Sequence, residues 1–350
     1  MPVRVVASYM AALMSLKGRP YSPAIQKRID RALDPGKVEF IVEPDAGARL
    51  KALEAAEVYI ARNEPLPPDL FQRAKRLRLI QCGSAFGERI GMEAAAERGV
   101  AVALFRRPIS QAVADLAMGL MLVLVRNLAE GGRRMRGGWD GPLSPTRPDG
   151  SAYNWTQLPG CKGVTGMRMG ILGMGEIARF VSERAKGFGM DIRYWNRTPL
   201  PKKIERKLGA KYLEKEKLLK TADVLYVGVG NSPATRHFVG EKEMAAMRKG
   251  AILLNLGRGP LVDQDALLAA LNSGRLGGAG LDVFTPEPFP PDHPLLQHPR
   301  VAATPHVGGG DDEMLVSDLE AFMRNAHRIA EGKRPFGIAN GVKWADKGTP

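Results

Sequence analysis

The sequence predicts an α/β protein built from two parallel-sheet domains. Three observations carry this. The chain has 350 residues, a length that fits about two domains of roughly 150 residues each. Short apolar runs alternate with amphipathic stretches along most of it. The alternation breaks once, between residues 110 and 166, and then restarts.

The first array holds strand-like runs at Val3–Ala7, Val38–Val42, Val58–Ile60 and Leu77–Gln81. Such short continuous apolar runs suit strands buried on both faces. Helical spacing lies between them at Ser22–Leu33, Ala46–Ala55 and Pro68–Arg76. Ser110–Asn127 reads as a strongly apolar helix, interrupted only by Asp115 and Gly119. Such a helix needs a second domain or a second subunit to cover it. Residues 137–166 are rich in Gly and Pro and carry Trp139, Tyr153 and Trp155. A stretch that long without periodicity is functional or mobile.

The second array has strand patterns at Arg168–Leu172, Asp191–Trp195, Val224–Val227, Ala251–Asn255, Gly278–Asp282 and Val301–Thr304. Helices fit Glu176–Gly187, Pro201–Leu208, Lys215–Thr221, Lys242–Ala246 and Asp263–Ser273, and a last one fits Asp312–Glu331. Alternating strands and helices make parallel sheets of the Rossmann-like or flavodoxin-like kind. The expected division is a first domain at 1–111, completed by 313–350, and a second at 112–312.

Composition narrows the class. Hydrophobic residues make up 44% and charged residues 25%, which is ordinary for a globular chain. With 40 Gly and 26 Pro, the chain lies below the disordered range. A disordered tail, a collagen and a disulfide mini-protein are excluded. The net charge of +14 admits nucleic acid, an anionic membrane or an anionic substrate, and equally a merely solubilising surface. The densest basic run, Arg133-Arg134-Met135-Arg136, is too short for a nucleic-acid arm, so no nucleic-acid partner is expected.

Cys82 and Cys161 stand outside any C-x-x-C pattern. This argues for a reducing, cytoplasmic compartment and against structural zinc. Arg4 before the apolar stretch Val5–Leu16 loosely resembles a signal peptide, but no A-x-A site follows, and Val3–Ala7 reads better as a strand. The run Leu116–Val125 is too short to span a bilayer, so no membrane is expected.

Residues Met169–Ala178 read MGILGMGEIA. A strand enters the glycines and a helix leaves them, and the G-x-G-x-x-G/A fingerprint is complete with Ala178 third. Gly173 permits the tight turn, Gly175 lets backbone approach a pyrophosphate, and Ala178 lets the helix pack closely. Gly173, Met174, Gly175, Glu176 and Ile177 are therefore the expected dinucleotide-binding turn, whose helix N-terminus favours an anion. An NAD site normally carries Asp or Glu about 20 residues further on. Here Asn196-Arg197-Thr198 stand at that strand end. Arg197 can pair with a 2′-phosphate and Thr198 can donate to it, so NADP(H) is favoured over NAD(H).

Three further segments follow at strand ends: Asn255–Asp263 (NLGRGPLVD), Gly278–Pro288 (GAGLDVFTPEP) and Thr304–Gly309 (TPHVGG). With the glycine turn, and in this order, they resemble the D-isomer-specific 2-hydroxyacid dehydrogenase family. That family includes glyoxylate/hydroxypyruvate reductases and phosphoglycerate dehydrogenases. The resemblance spans residues 110–340 and is most specific over 169–309. It implies an active-site cleft between the two domains. It also implies Arg258 as the catalytic arginine, Glu287 as the acid and His306 as the proton donor.

The chemistry wants the same types. An arginine can hold the carboxylate of a 2-keto acid and polarise its carbonyl. A histidine can protonate the oxygen as hydride adds to carbon, and a carboxylate beside it stabilises the imidazolium. By resemblance Asp282 meets the nicotinamide carboxamide, and Thr235, Leu256, Gly257, Gly308 and Gly309 line the cofactor site. Singly, each residue has a blander reading: a surface ion pair for Arg258, an exposed turn for Glu287, a structural histidine for His306. No histidine pair has metal-ligand spacing, so no metal is expected.

The chain departs from the family at its substrate-carboxylate turn, Gly83-Ser84-Ala85-Phe86-Gly87, where Ser84 and Ala85 are the candidate contacts. Arg106 and Arg107 either favour a second anionic group on the substrate or are solvated. The expected protein is an NADP(H)-dependent oxidoreductase for a small anionic 2-keto or 2-hydroxy acid, of glyoxylate/hydroxypyruvate type. It is expected to dimerise through the 110–127 helix. A phosphoglycerate dehydrogenase-like enzyme and a non-catalytic nucleotide sensor are the alternatives.

Overall fold

The computed structural model describes residues 1–8, 20–61 and 65–344. Residues 9–16 of the leader-like apolar stretch lie outside the described residues. The chain divides into two compact units, Met1–Gln111 with Gly309–Pro350, and Ala112–Gly308.

In the first unit, β1 (Val3–Ala7), β2 (Val38–Val42), β3 (Val58–Ala61), β4 (Leu79–Cys82) and β5 (Ala101–Ala103) form one parallel sheet in the order β2-β1-β3-β4-β5. Successive side chains of a strand face opposite ways. Val5 and Ala7 accordingly join Ile60, Leu79 and Ala103 in one core, while Val6 joins Tyr59, Ala61 and Ile80 in another. Helix α1 (Pro23–Ala32) and the last helix, Asp312–Ala330, cover the first face. Helices α2 (Ala46–Leu53), α3 (Leu70–Arg73) and α4 (Met92–Glu97) flank the second. β3 and β5 are buried at every position and read as unbroken apolar runs, whereas β1 and β2 carry Arg4 and Glu39.

Local signals start the helices. Ser22 accepts from the Ile25 amide at 3.3 Å with Pro23 behind it, and Asp45 accepts from Ala48 at 2.8 Å. The expected helix at 68–76 shrinks to the single turn of α3. The free edge of β5 is closed by the chain's final segment. The Asn340 side chain accepts from the Val102 amide (3.0 Å) and donates to the Val100 carbonyl (2.9 Å), and Ile338 bridges Ala103.

Helix α5 (Pro108–Val125) corrects the reading that its apolar run is short. It has 18 residues and mean hydropathy 1.8, enough by length and composition to cross a membrane. Packing accounts for that apolarity. Leu120 and Leu124 lie against Gly280 and Gly278 of the second sheet, where an added Cβ would meet them at 3.0 and 3.1 Å.

The second unit has β6 (Arg168–Leu172), β7 (Asp191–Trp195), β8 (Ala210–Tyr212), β9 (Val224–Val227), β10 (Ala251–Asn255), β11 (Leu276–Leu281) and β12 (Val301–Ala303). They form a parallel sheet in the order β12-β11-β10-β9-β6-β7-β8. The order reverses direction between β6 and β9, the crevice where open α/β sheets bind ligands. Its helices are α6 (Leu128–Arg133), α7 (Glu176–Gly187), α8 (Lys202–Leu208), α9 (Lys215–Thr221), α10 (Glu241–Ala246), α11 (Gln264–Asn272) and α12 (Pro294–Gln297). The long connection before β6 is ordered by cation–π contacts: Arg134 lies over Trp139 at 3.8 Å and Arg147 over Tyr153 at 4.5 Å.

Candidate active site

The glycine turn sits at the reversal point. Gly173 has φ 91°, and an added Cβ would lie 2.7 Å from the Gly228 backbone, so conformation and crowding both require glycine. The Gly173 amide donates to the Trp195 carbonyl at 2.9 Å, and the Gly228 amide to Leu172 at 2.7 Å. Asn196 completes the turn: its side-chain oxygen accepts from the Met174 amide at 2.7 Å. Gly175 opens the twelve-residue α7 with no side-chain cap, and a Cβ there would meet nothing within 4 Å. The result is an uncapped helix N-terminus facing open space, which suits an anion. Arg197 and Thr198 are exposed beyond the turn.

His306 and Glu287 are brought together. His306 Nδ1 lies 2.7 Å from Glu287 Oε2, and Oε1 of the same carboxylate accepts from the Phe284 amide at 2.8 Å. Burial alone would push the Glu287 pKa up. The His306 hydrogen bond, the Phe284 amide and the charges of His306 and Arg258 outweigh it and hold the carboxyl below its ordinary value. Arg258 is exposed, and its Nη1 donates to the Gly257 carbonyl at 2.7 Å. A cavity of about 620 Å³ opens beside the pair, walled by Phe284, Phe289, Leu296 and Pro305. A carboxylate-bound imidazole with a charged guanidinium nearby can donate a proton and hold a carboxylate.

The loop that carries His306 is held by Asp282. This residue is 2% exposed, and its carboxylate accepts from Thr304 Oγ1 (2.7 Å), the Val307 amide (2.9 Å) and the Gly308 amide (2.8 Å). Gly308 is glycine because a Cβ would meet Asp282 Oδ2 at 2.7 Å. His306 takes φ 56°, an uncommon value for a residue with a side chain, and these bonds hold it there. Sequence reasoning did not foresee this use of Asp282; its place at a strand end before a histidine loop was the available signal.

Thr235 folds its own loop, donating to Gly230 O at 2.7 Å and accepting from the Ser232 amide at 2.8 Å. Leu256 is buried and Gly257 lies against Leu261. Ser84, Ala85 and Gly309 belong to the first unit. There, Ser84 Oγ accepts from the Phe86 amide at 3.0 Å and its carbonyl accepts from Phe105.

The two arginines differ: Arg106 is exposed and Arg107 is partly buried. Arg107 makes a bidentate pair with Asp318 (2.7 and 3.2 Å), whose side chain is fully buried, and stacks over Phe322 at 5.3 Å. Most of the Arg107 side chain is buried in this pair, which makes it a structural cation. Arg106 Nε approaches Gln111 Oε1 at 3.5 Å. Asp115 pairs with Arg184 of α7 at 2.6 Å.

Residues 118–308, more than half of the chain, match the domain family described as "D-isomer specific 2-hydroxyacid dehydrogenase, NAD binding domain". The chain belongs to the D-isomer-specific 2-hydroxyacid dehydrogenase family. It is 33% identical over 300 residues to a glyoxylate reductase of Thermococcus litoralis, covering 85% of this chain and 87% of that one. It is 35% identical over 266 residues to a glyoxylate/hydroxypyruvate reductase B of Yersinia pestis, covering 75% and 78%. A crystal structure of a Thermus thermophilus protein, 33% identical, superposes with a TM-score of 0.57 over 96% of this chain and 99% of that one. The chain is thus an NAD(P)-dependent 2-hydroxyacid dehydrogenase. The dehydrogenase's nicotinamide dinucleotide fits the residues present: the open cradle at Gly175 and the uncapped start of α7 would hold its pyrophosphate.

Proposed function

We propose that this dehydrogenase reduces a small 2-keto acid of the glyoxylate or hydroxypyruvate type, with NADPH preferred over NADH. The observation that carries the reading is the Glu287–His306 pair at 2.7 Å with the charge of Arg258 felt at Glu287. Arg258 binds the substrate carboxylate and polarises the neighbouring carbonyl. Bound NADPH supplies the hydride that adds to the keto carbon. His306 gives its proton to the carbonyl oxygen as charge builds there, and Glu287 stabilises the cationic imidazole beforehand. In the oxidative direction His306 takes that proton back.

The NADPH preference rests on Asn196, Arg197 and Thr198. Asn196 adds no negative charge, and Arg197 is an exposed guanidinium beside the glycine turn. The relatives named as glyoxylate reductases support the choice of substrate class. A homodimer through α5 accords with a strongly apolar helix of whose residues 44% are buried; sedimentation as a monomer at micromolar concentration would end that part of the reading.

The test is oxidation of NADPH and of NADH against glyoxylate, hydroxypyruvate, pyruvate, phenylpyruvate and phosphohydroxypyruvate. Turnover of the first two with NADPH, lost in His306→Ala, is expected. A His306→Ala enzyme as fast as wild type would remove His306 from the mechanism. Tight NADPH binding without any turnover would overturn the substrate class.

A further inference from the structure

We infer that Gln264, the first residue of α11, is a positioning residue that holds the Glu287 turn in bonding register with His306. The inference rests on the Glu287–His306 pairing proposed above. Gln264 engages both backbone groups of one residue: its Nε2 donates to the Thr285 carbonyl at 2.8 Å, and its Oε1 accepts from the Thr285 amide at 3.0 Å. A carboxamide supplies a donor and an acceptor at this spacing; a carboxylate supplies acceptors alone. The pair imitates a strand ladder, made by a side chain where no strand exists.

The platform is rigid. Asp263 caps α11 by accepting from the Ala266 amide at 3.0 Å, its own amide donates to Val239 at 3.1 Å, and Leu267 and Leu271 anchor the helix in the core. The clamped residue is strategic. Thr285 follows Phe284, whose amide holds Glu287 Oε1 and leaves Oε2 for His306. Releasing the Thr285 peptide lets Phe284 and Glu287 turn together, and the Oε2–Nδ1 alignment goes with them. Gln264 touches neither reactant nor cofactor in this scheme; it acts through Glu287.

A double-mutant cycle separates this from ordinary structural support, because residues that act as a unit are non-additive. Gln264→Ala removes both hydrogen bonds. Gln264→Glu keeps the size and the acceptor but sets an oxygen against the Thr285 carbonyl. In the otherwise wild-type enzyme each is expected to lower kcat about tenfold, with the NADPH dissociation constant, read by nicotinamide fluorescence, unchanged. In a Glu287→Gln background neither should lower kcat further. Unchanged kcat in the single variants, or an equal loss in both backgrounds, overturns the inference. If Gln264→Ala unfolds, Gln264→Glu alone carries the cycle. Wild-type kcat in Glu287→Gln itself would instead remove the pairing on which the inference rests, and the inference with it; an impaired Glu287→Gln with unaffected Gln264 variants sinks the inference alone.

Discussion

Gly259 and Phe284 touch so closely that no side chain fits between them: a Cβ on Gly259 would lie 1.9 Å from the Phe284 carbonyl oxygen. Gly259 follows Arg258, and Phe284 holds Glu287, so this contact sets the arginine turn against the acid turn. Gly259→Ala must push the two apart. Overpacking of this kind costs about 1–3 kcal/mol of stability. A displacement near 1 Å at reacting groups can cost about 100-fold in rate. We expect both, read as a lower unfolding midpoint and a lower kcat. An alanine enzyme with wild-type kcat would show that the two turns need not keep register.

Asn196 and the Met174 amide make a second testable pair. The oxygen of Asn196 closes the glycine turn at 2.7 Å, and an aspartate would accept the same bond. Asn196→Asp therefore keeps the turn and adds one negative charge where a 2′-phosphate is proposed to lie. About 1.4 kcal/mol of repulsion is a factor of about ten in affinity. NADPH should weaken by about that much relative to NADH, measured by titration of each against the enzyme. Equal weakening of both cofactors would mean that the charge acts on the turn and not on the phosphate.

Much of the second unit was legible because its strands are short, apolar and bounded by polar or glycine residues. Arg168–Leu172, Asp191–Trp195, Val224–Val227 and Ala251–Asn255 were read with the bounds the structure has. The elements missed are too short to show a period: β8 has three residues, and α12 has four. The candidate triad was legible as residue types at strand ends. Its supports were not. Gln264, Gly259 and the three bonds of Asp282 act through contacts between segments distant in sequence, and no local pattern encodes such a contact.

The Arg107–Asp318 pair tests whether the adjacent arginines serve stability or substrate choice. Removing one partner of a buried pair leaves an uncompensated charge and costs about 3–5 kcal/mol, whereas an apolar replacement of both is often neutral. Arg107→Ala should lower the unfolding midpoint sharply, and the double variant Arg107→Met with Asp318→Leu should recover most of it. In either enzyme the ratio of kcat/KM for phosphohydroxypyruvate over hydroxypyruvate should match wild type. A selective loss of the phosphorylated substrate would return Arg107 to the binding site.

Arg28 ties α1 to the last helix and gives the first unit a pH dependence of known sign. Its guanidinium bonds Glu320 at 2.8 and 3.0 Å, Ser317 at 3.0 Å, and Glu313. The Arg28 hydrogen bond, with the charges of Arg28, Arg31 and Arg324, holds the Glu320 carboxyl below its ordinary value against the opposing effect of burial. The unfolded chain releases Glu320 to about pKa 4.3. A carboxyl with a depressed folded-state pKa contributes stability that is complete above the unfolded value and is lost as pH falls through the folded one. Arginine stays charged throughout, so the carboxylate alone titrates. The pair is about one-third exposed, with Arg28 at 29% and Glu320 at 36%, and solvent screening makes its contribution small. The unfolding-midpoint difference between wild type and Glu320→Gln should therefore be constant from pH 8 down to about pH 5 and close below about pH 4. A difference that instead widens as the pH falls would mean that the helix pair is not held by this carboxylate.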